Sequence, residues 1–144
     1  MTSEDIRSKL IQTLKKNNLK LTRQRLEIVE VLSSDRSHPS ARTIFHKVRQ
    51  KVPSVSLSTV YYTLHLFKKD GSIKELEFYD MENRYESNVT DHLDLVCLGC
   101  GKIVDYVEQA PIPIEQVERK TGFKVDRIRF EYYGYCKQCR KKQR

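Results

Sequence analysis

The chain has 144 residues, room for one sizeable core or for two small ones of which the lesser needs a staple. Its net charge of +8 divides unevenly, with 14 Lys/Arg against 5 Asp/Glu over residues 1–69, 2 against 7 over 70–91 and 11 against 7 over 92–144, so the first half carries the footprint of a polyanion partner, although a solvated lysine-rich surface has the same composition. No apolar stretch approaches a membrane span and the opening MTSEDIRSKL lacks the apolar core of an export signal, so the expectation is a cytoplasmic protein with no membrane partner.

In chain order, Ser3 is positioned to cap a helix with Ile6, Leu10 and Leu14 on one face, ended by the turn-prone NN of KKNNLK. Thr22 opens TRQRLEIVEVLSS, where Leu26, Val29 and Leu32 share a face. Ser40 caps a third helix bearing Ala41, Ile44, Phe45 and Val48, which Pro53 closes. The fourth helix, SLSTVYYTLHLFKKDG, turns Leu57, Val60, Leu64 and Phe67 inward and stops at Gly71. SIKELEFYDMENRYES then reads as two strands about a DMEN turn. Helices followed by such a ribbon suggest a winged helix-turn-helix, whose last helix enters a DNA groove.

Opposite the apolar stripe of the fourth helix lie Ser58, Tyr61, Tyr62 and His65, suited to phosphates, base edges and thymine methyls, or else to packing on the neighbouring wing. Thr22, Arg23 and Arg25 combine a helix start with two guanidiniums, a phosphate clamp if they act together and solvated charges if they do not. The residues assigned to DNA contact are Thr22, Arg23, Arg25, Ser58, Thr59, Tyr61 and Tyr62. His46 and His65 stand on helices without acidic or thiol neighbours, so they are assigned to packing or DNA contact and not to a metal.

In the second half, DHLDLVCLGCGKIVDY predicts two strands joined by the LGCG turn, PIPIEQVERKTG a short helix ended by Gly122, and FKVDRIRFEYYGYC a long strand. The tail KKQR is expected to be disordered. All four cysteines stand in two CxxC pairs, Cys97/Cys100 and Cys136/Cys139. In a reducing compartment that spacing is first a closed tetrahedral zinc site with no position left for a substrate, and second a redox dithiol pair. A thiol-disulfide oxidoreductase would need a low-pKa cysteine at a helix start, whereas Cys97 ends a strand.

His92 and Asp94 are two apart on a predicted strand and share a face from which Cys97 is out of phase, so a second site separate from the thiols is implied. A His-x-Asp is also a common surface pair. Glu86, just before the boundary near residues 87–91, and Asp105, on the partner strand, bring carboxylates close by; His38 of SHPSA would have to come from the other domain.

The ordered set TRQRLEIVEVL, HPSARTIFHKV, SLSTVYYTLHLF, DGSIKE, RYE, DHLDLVCLGCGKIVDY and GFKV with YGYCKQC resembles the ferric uptake regulator superfamily over essentially the whole chain, and within it the peroxide-sensing branch. The resemblance implies an α+β protein: a winged helix-turn-helix DNA-binding domain over residues 1–86, a hinge over 87–91, and a small α/β dimerisation domain with a four-cysteine zinc site over 92–144. It implies a homodimer, not an enzyme and without a small-molecule substrate, that represses transcription from double-stranded operator DNA. Cys97, Cys100, Cys136 and Cys139 match its structural zinc ligands. His38, Glu86, His92, Asp94 and Asp105 match its regulatory-metal positions.

Asp105 agrees with the peroxide-sensing branch, while Glu86 is a longer carboxylate and Asp94 stands where a histidine is usual. Two imidazoles and three carboxylates form a harder, more negative donor set, which favours Fe(II) or Mn(II) over zinc. DRIRFEYYG lacks the histidine that often serves an additional site, so one regulatory site per subunit is expected. The resemblance further implies that peroxide, reduced at Fe(II), leads to oxidation of His38 or His92 and loss of repression. The alternative is an iron- or manganese-uptake regulator without peroxide sensing.

Overall fold

The computed structural model describes residues 2–90, 92–106 and 112–142, which divide into two compact units, Met1–Val89 and Thr90–Arg144. The first unit holds α1 (Ser3–Lys16), α2 (Arg23–Ser34), α3 (Ala41–Lys51), α4 (Leu57–Lys69), β1 (Lys74–Leu76) and β2 (Arg84–Glu86). The second holds β3 (Leu93–Cys97), β4 (Ile103–Tyr106), α5 (Ile114–Thr121), β5 (Glu131–Gly134) and α6 (Lys137–Lys142).

Each helix of the first unit begins where a short hydroxyl side chain can accept from an otherwise orphaned N–H. Thr22, Ser40 and Ser56 cap α2, α3 and α4. For α1 the cap is Thr2 and not Ser3: the Asp5 N–H donates to Thr2 Oγ1 at 3.1 Å, and Asp5 Oδ2 accepts from the Thr2 N–H at 2.8 Å. That reciprocal pair needs an acid at the third helical position, which only the earlier start provides. α4 ends because Gly71 takes φ 78°, where a Cβ is strained, letting Ser72 N–H reach back to the Phe67 carbonyl at 2.9 Å.

The apolar stripes meet in one core. Ile6, Leu10 and Leu14 of α1 pack with Val29 and Leu32 of α2, Ile44 and Val48 of α3, and Val60, Leu64 and Phe67 of α4. At about 1.5–3 kcal/mol for each large side chain buried, this stripe outweighs helix propensity as the source of stability. The face of α2 is turned slightly from expectation: Ile28 is fully buried, whereas Leu26 is half-buried. Leu57 and Phe45 are half-buried too; the Arg49 guanidinium lies 5.8 Å from the Phe45 ring centre and covers it. β1 and β2 pair antiparallel with Glu75 opposite Tyr85, completing a winged helix.

In the second unit β3 is central, antiparallel to β4 and parallel to β5. The expected long strand is cut to Glu131–Gly134, because its only partner among the described residues is the segment Asp94–Cys97 and the ladder ends with it. Lys141 and Lys142, expected in a disordered tail, close α6, and residues 143–144 lie outside the described residues. Among the described residues of this unit, few are buried as whole residues: Asp94, Val96, Cys97 and Ile103. So small an apolar set cannot offset the chain entropy of some fifty residues alone, which is the physical case for a staple. Among the described residues no helix is long and apolar enough to cross a membrane.

Candidate metal centres and nucleic-acid face

The β3–β4 turn carries one CxxC pair and the start of α6 the other, and parallel pairing of β3 with β5 brings them together: Leu98 N–H donates to the Gly134 carbonyl at 2.7 Å, just before each pair closes. All four cysteines are reduced, and their Sγ atoms lie within 4.8 Å of one another. Cys100 and Cys136 Sγ are 3.9 Å apart, against a tetrahedron edge of ~3.8 Å for Zn–S bonds of ~2.3 Å. Backbone N–H groups prepare the sulfurs for charge: Cys136 N–H donates to Cys97 Sγ at 3.3 Å. Donors from Cys136 and Cys100 pull the Cys97 thiol down to about 6. Those from Cys139 lower Cys136, while sharing protons with Cys136 and Cys97 pushes Cys139 up to about 12. Four sulfurs this close cannot all ionise unaided, and a dication removes that conflict. Gly99 shapes the knuckle, since a Cβ there would stand 2.9 Å from Cys139 Cβ and Sγ. Cys136 does stand at a helix start, the feature a redox dithiol needs, but the convergence of both pairs on one point is the geometry of a metal clasp.

The second donor set uses the other face of β3. Asp94 lies directly opposite Asp105 in the β3–β4 register, a like-charge pairing that costs stability unless a cation separates the carboxylates. His92 sits just before β3 with its side chain 2% exposed, and its Nδ1 lies 2.6 Å from the Thr90 carbonyl. A carbonyl only accepts, so Nδ1 carries a proton and Nε2 is left to face the carboxylates. That Nε2 points at Asp94 Oδ1 (3.1 Å) and Asp105 Oδ1 (3.4 Å). One ring nitrogen and two carboxylate oxygens thus converge, an arrangement that either a second proton on the imidazole or a metal cation can hold together. A ring N–H on a backbone carbonyl is also how ligating histidines are held.

His38 and Glu86, both in the first unit, form a third grouping with Nε2 2.9 Å from Oε2, and both are buried. His38 follows α2 in a loop that Asp35 begins, its carboxylate accepting from Ser37 N–H at 2.9 Å. The loop then runs beside β2: Tyr85 N–H donates to the Pro39 carbonyl at 2.9 Å, and Ser40 bridges Arg84. Glu86 ends β2. Each predicted metal residue therefore sits among others of its kind, His38 with Glu86 and His92 with Asp94 and Asp105.

On the winged helix, a cleft of ≈ 390 Å³ is lined by Thr22, Arg23, Gln24, Arg25, Val52, Ser54 and Thr59. It brings Thr59 to the predicted clamp and adds Gln24 and Ser54, which periodicity gave no reason to choose. Arg23 Nη2 donates to the Lys51 carbonyl at 3.1 Å and Arg25 Nη1 to the Lys20 carbonyl at 2.8 Å. Both guanidiniums are thereby oriented, with entropy lost before any phosphate arrives. Ser58, Tyr61, Tyr62 and His65 are exposed on α4. Tyr61 and His65 also line a cleft with Tyr85 of the wing, so that edge of the face belongs partly to packing. His46 is exposed beside the Phe45 ring, away from any metal grouping among the described residues.

Residues 16–133 match the ferric uptake regulator family. The peroxide operon regulator of Bacillus subtilis is 38% identical over 134 residues, covering 92% of each chain. The peroxide-responsive repressor PerR of Staphylococcus epidermidis is 37% identical over 131 residues, 90% of this chain and 87% of its own. The solved structure of the Helicobacter pylori ferric uptake regulator Fur, which reveals three functional metal binding sites in that protein, superposes with a TM-score of 0.76 at 34% identity over 97% of this chain and 95% of that one.

Proposed function

The chain belongs to the ferric uptake regulator family and is a metal-dependent DNA-binding transcriptional regulator; from that premise we propose that it is a cytoplasmic homodimeric repressor of double-stranded operator DNA, with its corepressor Fe(II) or Mn(II) on His38, Glu86, His92, Asp94 and Asp105. Structural Zn(II) is held by Cys97, Cys100, Cys136 and Cys139. The observation that carries the reading is the convergence of His92 Nε2 with the carboxylates of Asp94 and Asp105, a donor set suited to a hard divalent ion.

His38 and Glu86 belong to one compact unit and His92, Asp94 and Asp105 to the other. Donors divided in this way have their favourable contacts only in arrangements that unite them, so filling them shifts the population toward those arrangements. Fixing the units in turn fixes the spacing of two α4 helices across a dimer, and with it the match to a palindromic operator. The Thr22–Arg25 cleft supplies phosphate contacts, while Ser58, Tyr61 and Tyr62 face the bases. Tyr132, Tyr133 and Phe123, exposed on a unit with little core of its own, supply apolar area for a second copy. Bound at the five donors, Fe(II) or Mn(II) supplies the balancing positive charge, and Fe(II) also supplies electrons that reduce peroxide. His38 and His92 are the oxidisable residues at that position.

The test is a titration on operator DNA with zinc-loaded protein in its metal-free, Mn(II), Fe(II) and Zn(II) forms, repeated after peroxide with mass spectrometry of the peptides holding His38 and His92. The expected result is tight, salt-sensitive binding with Mn(II) or Fe(II), and oxygen added to histidine in the Fe(II) form alone. Binding that ignores the added ion overturns the proposal. Unmodified histidines with intact binding favour the second reading, an iron- or manganese-uptake regulator.

A further inference from the structure

His38 has φ 59° and Asn18 φ 57°, the non-glycine residues with positive φ among those described. Any residue with a Cβ enters the left-handed region at a cost, and a residue preceding proline, as His38 does, is further confined to extended backbone. A backbone held there persists only where its surroundings over-determine it. The surroundings are supplied by β2. Arg84 Nε donates to the His38 carbonyl and Nη2 to the Ser37 carbonyl at 3.1 Å, so one planar guanidinium grips two successive carbonyls. Two residues on and on the same side of the strand, Glu86 meets the imidazole that this backbone conformation delivers.

We propose that Arg84 is a positioning residue for the regulatory metal: by forking onto the Ser37 and His38 carbonyls it locks His38 in the left-handed conformation that aims its imidazole at Glu86. The inference rests on the reading of His38 and Glu86 as ligands. It has a sign that simple electrostatics does not share. Arg84 is a cation beside a cation site, so removing its charge should tighten metal binding if charge were its only role. As an anchor, its removal lets the loop relax and leaves His38 pre-aimed in a small fraction of molecules, weakening binding by about tenfold.

Mn(II) affinity of the full-length, zinc-loaded protein is measured from the electron paramagnetic resonance of free Mn(II), for Arg84→Met, Arg84→Lys, His38→Ala and the double variant Arg84→Met/His38→Ala. The visible spectrum of each with Co(II) reports the number of ligands. Both Arg84 variants are expected to bind Mn(II) about tenfold more weakly, lysine included because one ammonium cannot reproduce the fork, and adding Arg84→Met to His38→Ala should cost almost nothing more. Wild-type affinity in Arg84→Met, with His38→Ala impaired, overturns the positioning role and leaves the ligand assignment standing. An equal loss from Arg84→Met in both backgrounds overturns it as well, since the arginine then acts elsewhere. If His38→Ala itself binds Mn(II) normally, the ligand assignment fails and this inference with it. Should Arg84→Met not fold, Arg84→Lys carries the same comparison.

Discussion

Replacing Gly99 by alanine places one methyl group where the zinc clasp has no room for it. The added Cβ would lie 2.9 Å from both Cβ and Sγ of Cys139, and carbon contacts settle at about 3.5–4.0 Å, so Cys139 Sγ must retreat by roughly 0.6 Å or more. Gly99 lies between the two cysteines of its own pair, and Cys139 is tethered through α6, so neither side yields freely. Overpacking of this kind costs about 1–3 kcal/mol, which at a tenfold change for every ~1.4 kcal/mol is a loss of about fivefold to about 150-fold in zinc affinity. The assay is transfer of zinc from full-length protein to a chromophoric chelator, with thermal melting alongside. Gly134→Ala is the control, because a Cβ at that position meets nothing within 4 Å. Zinc retention in Gly99→Ala equal to that of both wild type and Gly134→Ala would falsify the four-sulfur clasp as the zinc site.

Phe67, fully buried where α4 meets the other helices, should cost about 3–5 kcal/mol on truncation to alanine, read as a lowered midpoint in urea; a loss below about 1 kcal/mol contradicts the single-core account of the first unit. Asp70 accepts from Ser72 Oγ at 2.8 Å and Thr13 Oγ1 at 2.9 Å, and these hydroxyls hold its carboxyl below the usual range. A carboxylate whose folded pKa is depressed adds stability that is present above its unfolded value and lost as pH falls through the folded one. Asp70→Asn should therefore lower the melting temperature near neutral pH, with the difference from wild type fading below about pH 4. A difference that grows on acidification would count against it.

The helices of the first unit were legible because one stripe of apolar residues recurs with the helical period and each begins at a hydroxyl cap. The capping error at Thr2 was local: either Thr2 or Ser3 can accept an N–H, and only the acid at Asp5 selects between them. The long strand predicted before Gly134 failed for a different reason. Alternation describes a residue's own preference, whereas strand length is set by the partner, and the parallel segment of β3 offers four positions. The thiol and His-x-Asp groupings could be seen because ligand spacing within one turn or one strand is a short-range property. Arg84, Thr90 and Gly99 could not be chosen in the same way. Each acts through a neighbour distant in sequence or through a backbone atom: Arg84 on carbonyls 46 and 47 residues earlier, the Thr90 carbonyl on an imidazole, and Gly99 on a cysteine in the other pair. The RYE run contains Arg84 between the turn and Glu86, but nothing in it points to the SHPSA loop.

The most direct measurement is operator affinity of the zinc-loaded protein carrying His92→Ala and Asp94→Asn, with and without Mn(II), beside wild type. The variant is expected to keep one zinc per chain and its fold, yet no longer to tighten on DNA when Mn(II) is added. A variant that still responds to Mn(II) as wild type does, with both residues gone, contradicts that expectation.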